Sequence, residues 1–210
     1  MSFQSQLSYY YPNKMGRIIL LAMEEILGRT GIHAVLNQMK MSDLINNYPP
    51  SNLDRGFSFE TLSNIQQGLE SIYGPRAGQG LSLRSGQACF KYGLREFGPM
   101  LGITEMAFRL LPLQTKISNG ARIFADTFNK FTDQQVRIEE NETQIYWHIE
   151  RCPICWGRTT ERPSCGLAVG LLQEALYWTS GGKYFVLNET ACIAQGNETC
   201  TILIEKEPVN

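Results

Sequence analysis

The sequence predicts an α+β fold in which a helical first two thirds packs on a small antiparallel sheet and the C-terminal part is clasped by zinc. Three observations carry this. Apolar residues recur every three or four positions up to about residue 131, strict alternation takes over beyond Thr132, and five of the six cysteines crowd into the last third. With 210 residues, 43% of them apolar, the chain suits one domain over 1–210, divided into a helical region (1–131) and a strand-rich metal-binding region (132–210).

The elements follow in order. Asn13 is placed to cap a helix from Lys14 to Leu27, where Met15, Ile18, Ile19, Ala22, Met23 and Ile26 share a face and Gly28 ends the run. A short helix is expected over Ile32 to Met39, with Pro49-Pro50 marking the loop after it. Ser58 caps the next helical pattern, which runs through Ile72. Gly74, Gly78 and Gly80 then interrupt it, and another helix runs from about Arg84 through Phe97. Those glycines do not make a dinucleotide fingerprint, because no third glycine follows and no strand precedes; close helix packing or a bend is expected instead. Pro99 breaks the chain, and Ile103 to Phe131 gives one or two helices with Pro112 as a kink.

Gln135 to Glu140 and Thr143 to Glu150 alternate around Asn141 as a hairpin, which puts Val136, Ile138, Ile145, Trp147 and Ile149 on one face and His148 on the other. A cysteine loop, a helix from Gly166 to Trp178 stopped by Gly181-Gly182, and strands at Tyr184 to Cys192 and Thr199 to Glu205 joined through Gly196-Asn197 complete the domain.

Cys165, Glu189, Cys192 and Cys200 form the pattern C-x(23)-E-x(2)-C-x(7)-C across these last elements. Three thiolates and a carboxylate would close a tetrahedral zinc shell, the geometry of a structural site. Disulfides or buried thiols are the competing readings. Cys152-Pro-Ile-Cys155 adds a C-x-x-C that could form a second metal or redox pair, although Pro153 and Trp156-Gly157 suggest a loop and not the helix start that redox thiols use. Cys89 reads as a helix-core thiol.

Composition excludes several classes. The 19 basic and 20 acidic residues balance to a net charge of −1 and form no basic track, so direct nucleic-acid binding is not expected. No apolar run is long enough to span a bilayer, and the N-terminus lacks a secretory pattern, so a cytoplasmic protein with reduced thiols is expected. Two histidines in unrelated contexts, His33 and His148, leave little for general-base work. Phe108, Phe124, Phe128, Tyr146, Trp147, Tyr177 and Trp178 are the candidate lining of an apolar ligand pocket where the last long helix, the hairpin and the metal-flanked helix meet. Aromatics at such spacings also serve as plain core.

The segment C-P-I-C-W-G-R-T-T-E-R-P-S-C-G-L-A-V-G-L-L-Q-E-A-L, followed by N-E-T-A-C-I-A-Q-G-N-E-T-C-T-I-L-I, resembles the 4-vinyl reductase (4VR) domain family. Its ending, E-x-x-C-x-x-x-G-x-x-x-C, is the specific part, and G-x-G-x-x-x-R-x-G at Gly78, Gly80, Arg84 and Gly86 is compatible. The resemblance implies a ligand-binding α+β fold shared with sensor domains of aromatic-responsive activators and with lipid-holding transport subunits. It further implies zinc on Cys165, Glu189, Cys192 and Cys200 beside an aromatic-binding pocket, and a homodimer formed through the helical region. Phenol sensors of this kind pair a strand tryptophan with a histidine on the preceding helix. Trp147 can fill the first role, but no histidine lies on Ile103 to Phe131, which speaks against a phenol.

The expected function is a small-molecule-binding sensor or carrier domain for an apolar or tetrapyrrole-like ligand, with a structural zinc. The alternatives are a vinyl reductase of bacteriochlorophyll synthesis, for which the chain offers no dinucleotide motif, and a pure interaction protein.

Overall fold

The computed structural model describes residues 8–101 and 110–209, with side chains described outside 99–101. Among them five helices pack on a four-stranded antiparallel sheet, and a two-stranded ribbon lies beside the first helix, as the α+β expectation requires.

The ribbon pairs β1 (Tyr10–Pro12) with β2 (Arg55–Ser58), which ties the segment before the first helix to the start of the second. Helix α1 spans Asn13–Gln38. Its first N–H groups are satisfied by loop carbonyls, Asn13 N–H to Asp54 O at 2.8 Å and Lys14 N–H to Asn52 O at 2.9 Å, so the loop caps the helix and Asn13 lies within it. Gly28, at φ +71° and ψ 162°, breaks the helical path where a stop was expected, so the two expected helices are both present and meet at a kink within α1.

Helix α2 (Phe59–Tyr73) starts at the expected cap, with Ser58 Oγ accepting the Thr61 N–H at 3.0 Å. Helix α3 (Pro75–Leu101) begins earlier than the glycines suggest and continues past Pro99. The reason is packing: Gly78 lies so close to α2 that an added Cβ would sit 2.8 Å from the Glu70 backbone. Helix α4 (Leu113–Phe131) starts directly after Pro112, which stands at its N-cap and not at a kink.

The hairpin forms with β3 (Gln135–Glu140) and β4 (Gln144–Arg151), and Asn141 Oδ1 accepts the N–H groups of Thr143 and Gln144 at 2.9 and 2.8 Å to close the turn. Helix α5 (Gly166–Ser180), β5 (Tyr184–Ala191) and β6 (Cys200–Val209) complete the chain, giving the sheet order β3-β4-β6-β5. The register places Ile138 against Trp147 and Trp147 against Ile202, with Ile149 against Cys200. One sheet face is therefore a continuous apolar surface, and α4 and α5 close it, α5 packing in turn on α3. The α3–α5 crossing is very close: a Cβ on Gly170 would fall 1.8 Å from Leu83 O, and one on Gly86 2.1 Å from Leu167 O.

Candidate ligand cavity and thiolate cluster

Two features meet at one end of this core. The first is a cavity of about 110 Å³ bounded by α1, α3, α4, α5 and the sheet. Trp147, 1% exposed, forms its floor with Phe124 and Phe128, whose ring centroids lie 5.8 and 6.4 Å from the indole. The expected lining divides. Phe124, Phe128 and Trp147 line the cavity, whereas Tyr146, Tyr177 and Trp178 do not. Tyr146 points to the opposite sheet face, stacked on His148 at 6.3 Å, because adjacent strand residues alternate. Tyr177 packs on Tyr184 at 4.9 Å and Trp178 on Phe90 at 6.2 Å, while Phe108 lies outside the described residues.

Much of the wall comes from α3, whose Cys89, Phe90, Gly93, Leu94 and Phe97 face inward. That stripe at helical spacing was the signal available for it in the sequence. Met15, Ile18 and Ile19 of α1 and Leu167, Ala168, Leu171 and Leu172 of α5 add to it. Polar groups are few and engaged. The Tyr11 hydroxyl donates to Gln134 Oε1, and Thr127 Oγ1 donates to Ile123 O at 2.7 Å. Burial pushes the Tyr11 hydroxyl and the Cys89 thiol well up, so both stay protonated.

The second feature is a cluster of five thiols. The end of β4 leads into Cys152 and Cys155, Cys165 stands at the N-cap of α5, β5 ends before Cys192, and Cys200 opens β6. All five are at most 1% exposed and none is disulfide-bonded. Sulfur separations are 3.5 Å for Cys152–Cys165, 3.4 Å for Cys155–Cys200 and 3.6 Å for Cys165–Cys200. Cys192 lies 4.0 and 3.9 Å from Cys165 and Cys200. A tetrahedral ion with metal–sulfur bonds of about 2.3 Å needs sulfur pairs about 3.8 Å apart, so the spacing suits zinc-type thiolate ligation.

Two sets of four donors lie close enough to share one ion: Cys152, Cys155, Cys165 and Cys200, and Cys165, Glu189, Cys192 and Cys200. Glu189 Oε2 accepts the Cys165 N–H at 2.8 Å, while Oε1 is buried without a hydrogen-bond partner. Burial first, then the Cys192 sulfur, pushes the Glu189 carboxyl up to about 8.

Cluster and cavity share a wall. Ile154, inside the C-x-x-C, and Leu167, two residues after Cys165, both line the cavity. On its outer side the same loop is pinned by Trp156 against Tyr9 (5.1 Å) and Phe59 (6.0 Å), and by Arg158 to Glu70 at 2.6 Å.

No protein-family model matches the chain, and a search of the curated proteins returns no match. Solved structures do resemble it. An H-NOX protein from S. oneidensis, solved in its Fe(II)NO ligation state, overlays at a TM-score of 0.57 with 16% identity over 92% of this chain and 99% of that one. The unliganded Fe(II) H-NOX protein from K. algicida overlays at 0.58 with 12% identity over 95% and 97%. A looser overlap, at 0.46 with 16% identity over 72% and 77%, joins the chain to the phenol-responsive sensory domain of the activator PoxR with phenol. At these identities the likeness is one of fold. The 4-vinyl reductase family and bacteriochlorophyll synthesis find no support in any of the comparisons.

A haem does not fit the residues present. Neither histidine lines the cavity: His33 is half-buried on α1, and His148 faces away with Nδ1 2.9 Å from Thr201 Oγ1. The cavity of about 110 Å³ is also far below the several hundred Å³ of a cofactor pocket.

Proposed function

We propose that residues 1–210 form one ligand-binding domain, a sensor or carrier that takes a small apolar molecule of about one ring into the cavity beneath Trp147. The observation that carries this reading is the cavity itself, about 110 Å³ with almost wholly apolar walls and its polar groups already paired. An apolar protein cavity of about 150 Å³ stays dry and accepts benzene, so an occupant of similar or smaller size suits this one. A tetrapyrrole exceeds the space several-fold.

Cys165, Glu189, Cys192 and Cys200 serve in this reading as a structural zinc clasp, holding α5 to β5 and β6 beside the cavity. A closed shell of protein donors leaves no position for substrate, which suits scaffolding. A cytoplasmic setting and a homodimer formed through the helical region belong to the same reading.

Titration of the full chain with benzene and toluene, followed by Trp fluorescence and melting temperature, tests it. Saturable binding with a dissociation constant on the order of 10 µM to 1 mM is expected from so few ligand atoms. Gly93→Leu is the informative variant: Gly93 lines the cavity and a Cβ there meets nothing within 4 Å. It should fold as well as the parent and bind neither ligand. An unchanged titration in G93L, or no saturable response in the parent chain, rejects the proposal.

A further inference from the structure

We infer that the thiolate cluster is a binuclear centre: two tetrahedral divalent ions of the zinc type share Cys165 and Cys200 as bridging thiolates. One ion is completed by Cys152 and Cys155, the other by Glu189 and Cys192. This goes beyond the single clasp proposed above, which becomes one half of it. Eight coordination positions are thus filled by six residues, two of them used twice.

Each half has its own observation. The two four-donor sets meet in the edge between Cys165 and Cys200, whose sulfurs are 3.6 Å apart. In the first half, Cys152 and Cys155 are buried with sulfurs 3.5 and 3.4 Å from those of Cys165 and Cys200. An ion in the other half alone leaves these two thiols packed against ligating sulfurs with nothing to hold. In the second half, Glu189 Oε1 is buried and unpartnered. An ion in the first half alone leaves that buried oxygen without a partner. Two ions satisfy both halves.

Charge and support agree with this. Fully ionised as ligands, five thiols and one carboxyl would carry six negative charges, which one divalent ion would offset poorly and two would reduce to a net of minus two. The Ile193 N–H points at Cys200 Sγ at 3.2 Å, a further donor to a bridging sulfur. The C-x-x-C loop is held in place by protein contacts of its own, Trp156 on Tyr9 and Arg158 on Glu70, so Cys152 and Cys155 stand ready without an ion to gather them.

The test is metal content of the full chain purified with zinc present, by native mass spectrometry and elemental analysis, followed by cadmium-113 NMR of the exchanged protein. Two ions per chain and two coupled cadmium resonances are expected. The double variant C152S/C155S and the double variant E189Q/C192S should each retain one ion, and C200S should lose both. One ion per parent chain overturns the proposal, as does iron with inorganic sulfide, or an unchanged content in C152S/C155S. Should a variant fail to fold, the stoichiometry and cadmium spectrum of the parent decide alone. Toluene binding measured on the same parent sample keeps the cavity reading separate, since it stands or falls independently of the ion count.

Discussion

Replacing Gly170 by alanine adds one methyl group to the tightest point of the molecule, the crossing of α5 over α3. The new Cβ would meet Leu83 O at 1.8 Å and Leu83 C at 2.7 Å. These are backbone atoms in mid-helix and have no rotamer to turn away. The helices must separate by more than an ångström to restore contact distance, and the whole crossing moves with them. Overpacking of a core usually costs about 1–3 kcal/mol, and a backbone clash with no escape belongs at or above the upper end, near 3 kcal/mol. For a domain of this size that is a fall in melting temperature of about 6–12 °C. Thermal unfolding of the metal-loaded protein by circular dichroism reads it directly. Gly86→Ala presses on the same crossing from the other helix, 2.1 Å from Leu167 O. The double variant should therefore cost less than the two singles together, because one separation relieves both clashes. A loss below about 1 kcal/mol in G170A, or simple additivity in the pair, would refute the account.

Two further outcomes follow from named contacts. Glu140 ties β3 to α4 and β6 through Ser118 (2.7 Å), Arg122 and Lys206 (2.9 Å); burial alone would raise its carboxyl, but these partners outweigh it and hold it at about 2. The folded value lies below the ordinary one, so the stabilisation is complete at neutral pH and disappears as pH falls from the ordinary carboxylate range toward 2. E140Q should therefore cost about 1–3 kcal/mol at pH 7 and progressively less in acid, with urea melts at several pH values as the measure. Tyr11→Phe leaves Gln134 Oε1 without its donor inside the core, and chemical denaturation should show a loss of about 1–3 kcal/mol.

Much of this structure is legible in the sequence because periodicity reports burial. The hairpin is an example: Val136, Ile145, Trp147 and Ile149 alternate with polar neighbours and are the buried residues. The caps are local chemistry, so Ser58 can be read directly, and the spacing of Glu189, Cys192 and Cys200 follows the strand pair, which carries Glu189 and Cys200 and has Cys192 just past the end of β5. Long-range facts are less accessible. Tyr10 to Pro12 is too short to show a strand pattern, and it pairs with a segment more than forty residues away. The start of α3 is hidden because Gly78 looks like a breaker until α2 is seen pressing against it. Tyr177 and Trp178 share a helix with cavity-lining Leu171 and Leu172, but their bearing around the axis depends on where α3 crosses, which sequence spacing alone does not give. The approach of Cys152 and Cys155 to the other thiols is likewise a product of tertiary folding.

The short wall made by Ile154 and Leu167 has a thermodynamic consequence. Each of these residues sits within two positions of a sulfur of the thiol cluster and lines the cavity itself. Metal and guest at the two proposed sites would therefore touch one set of backbone positions, and linkage would make any influence mutual: the factor by which metal loading changed affinity for an apolar guest would be the factor by which that guest changed affinity for metal. If both proposed sites are filled, a chain built this way would report on two chemically unrelated supplies at once.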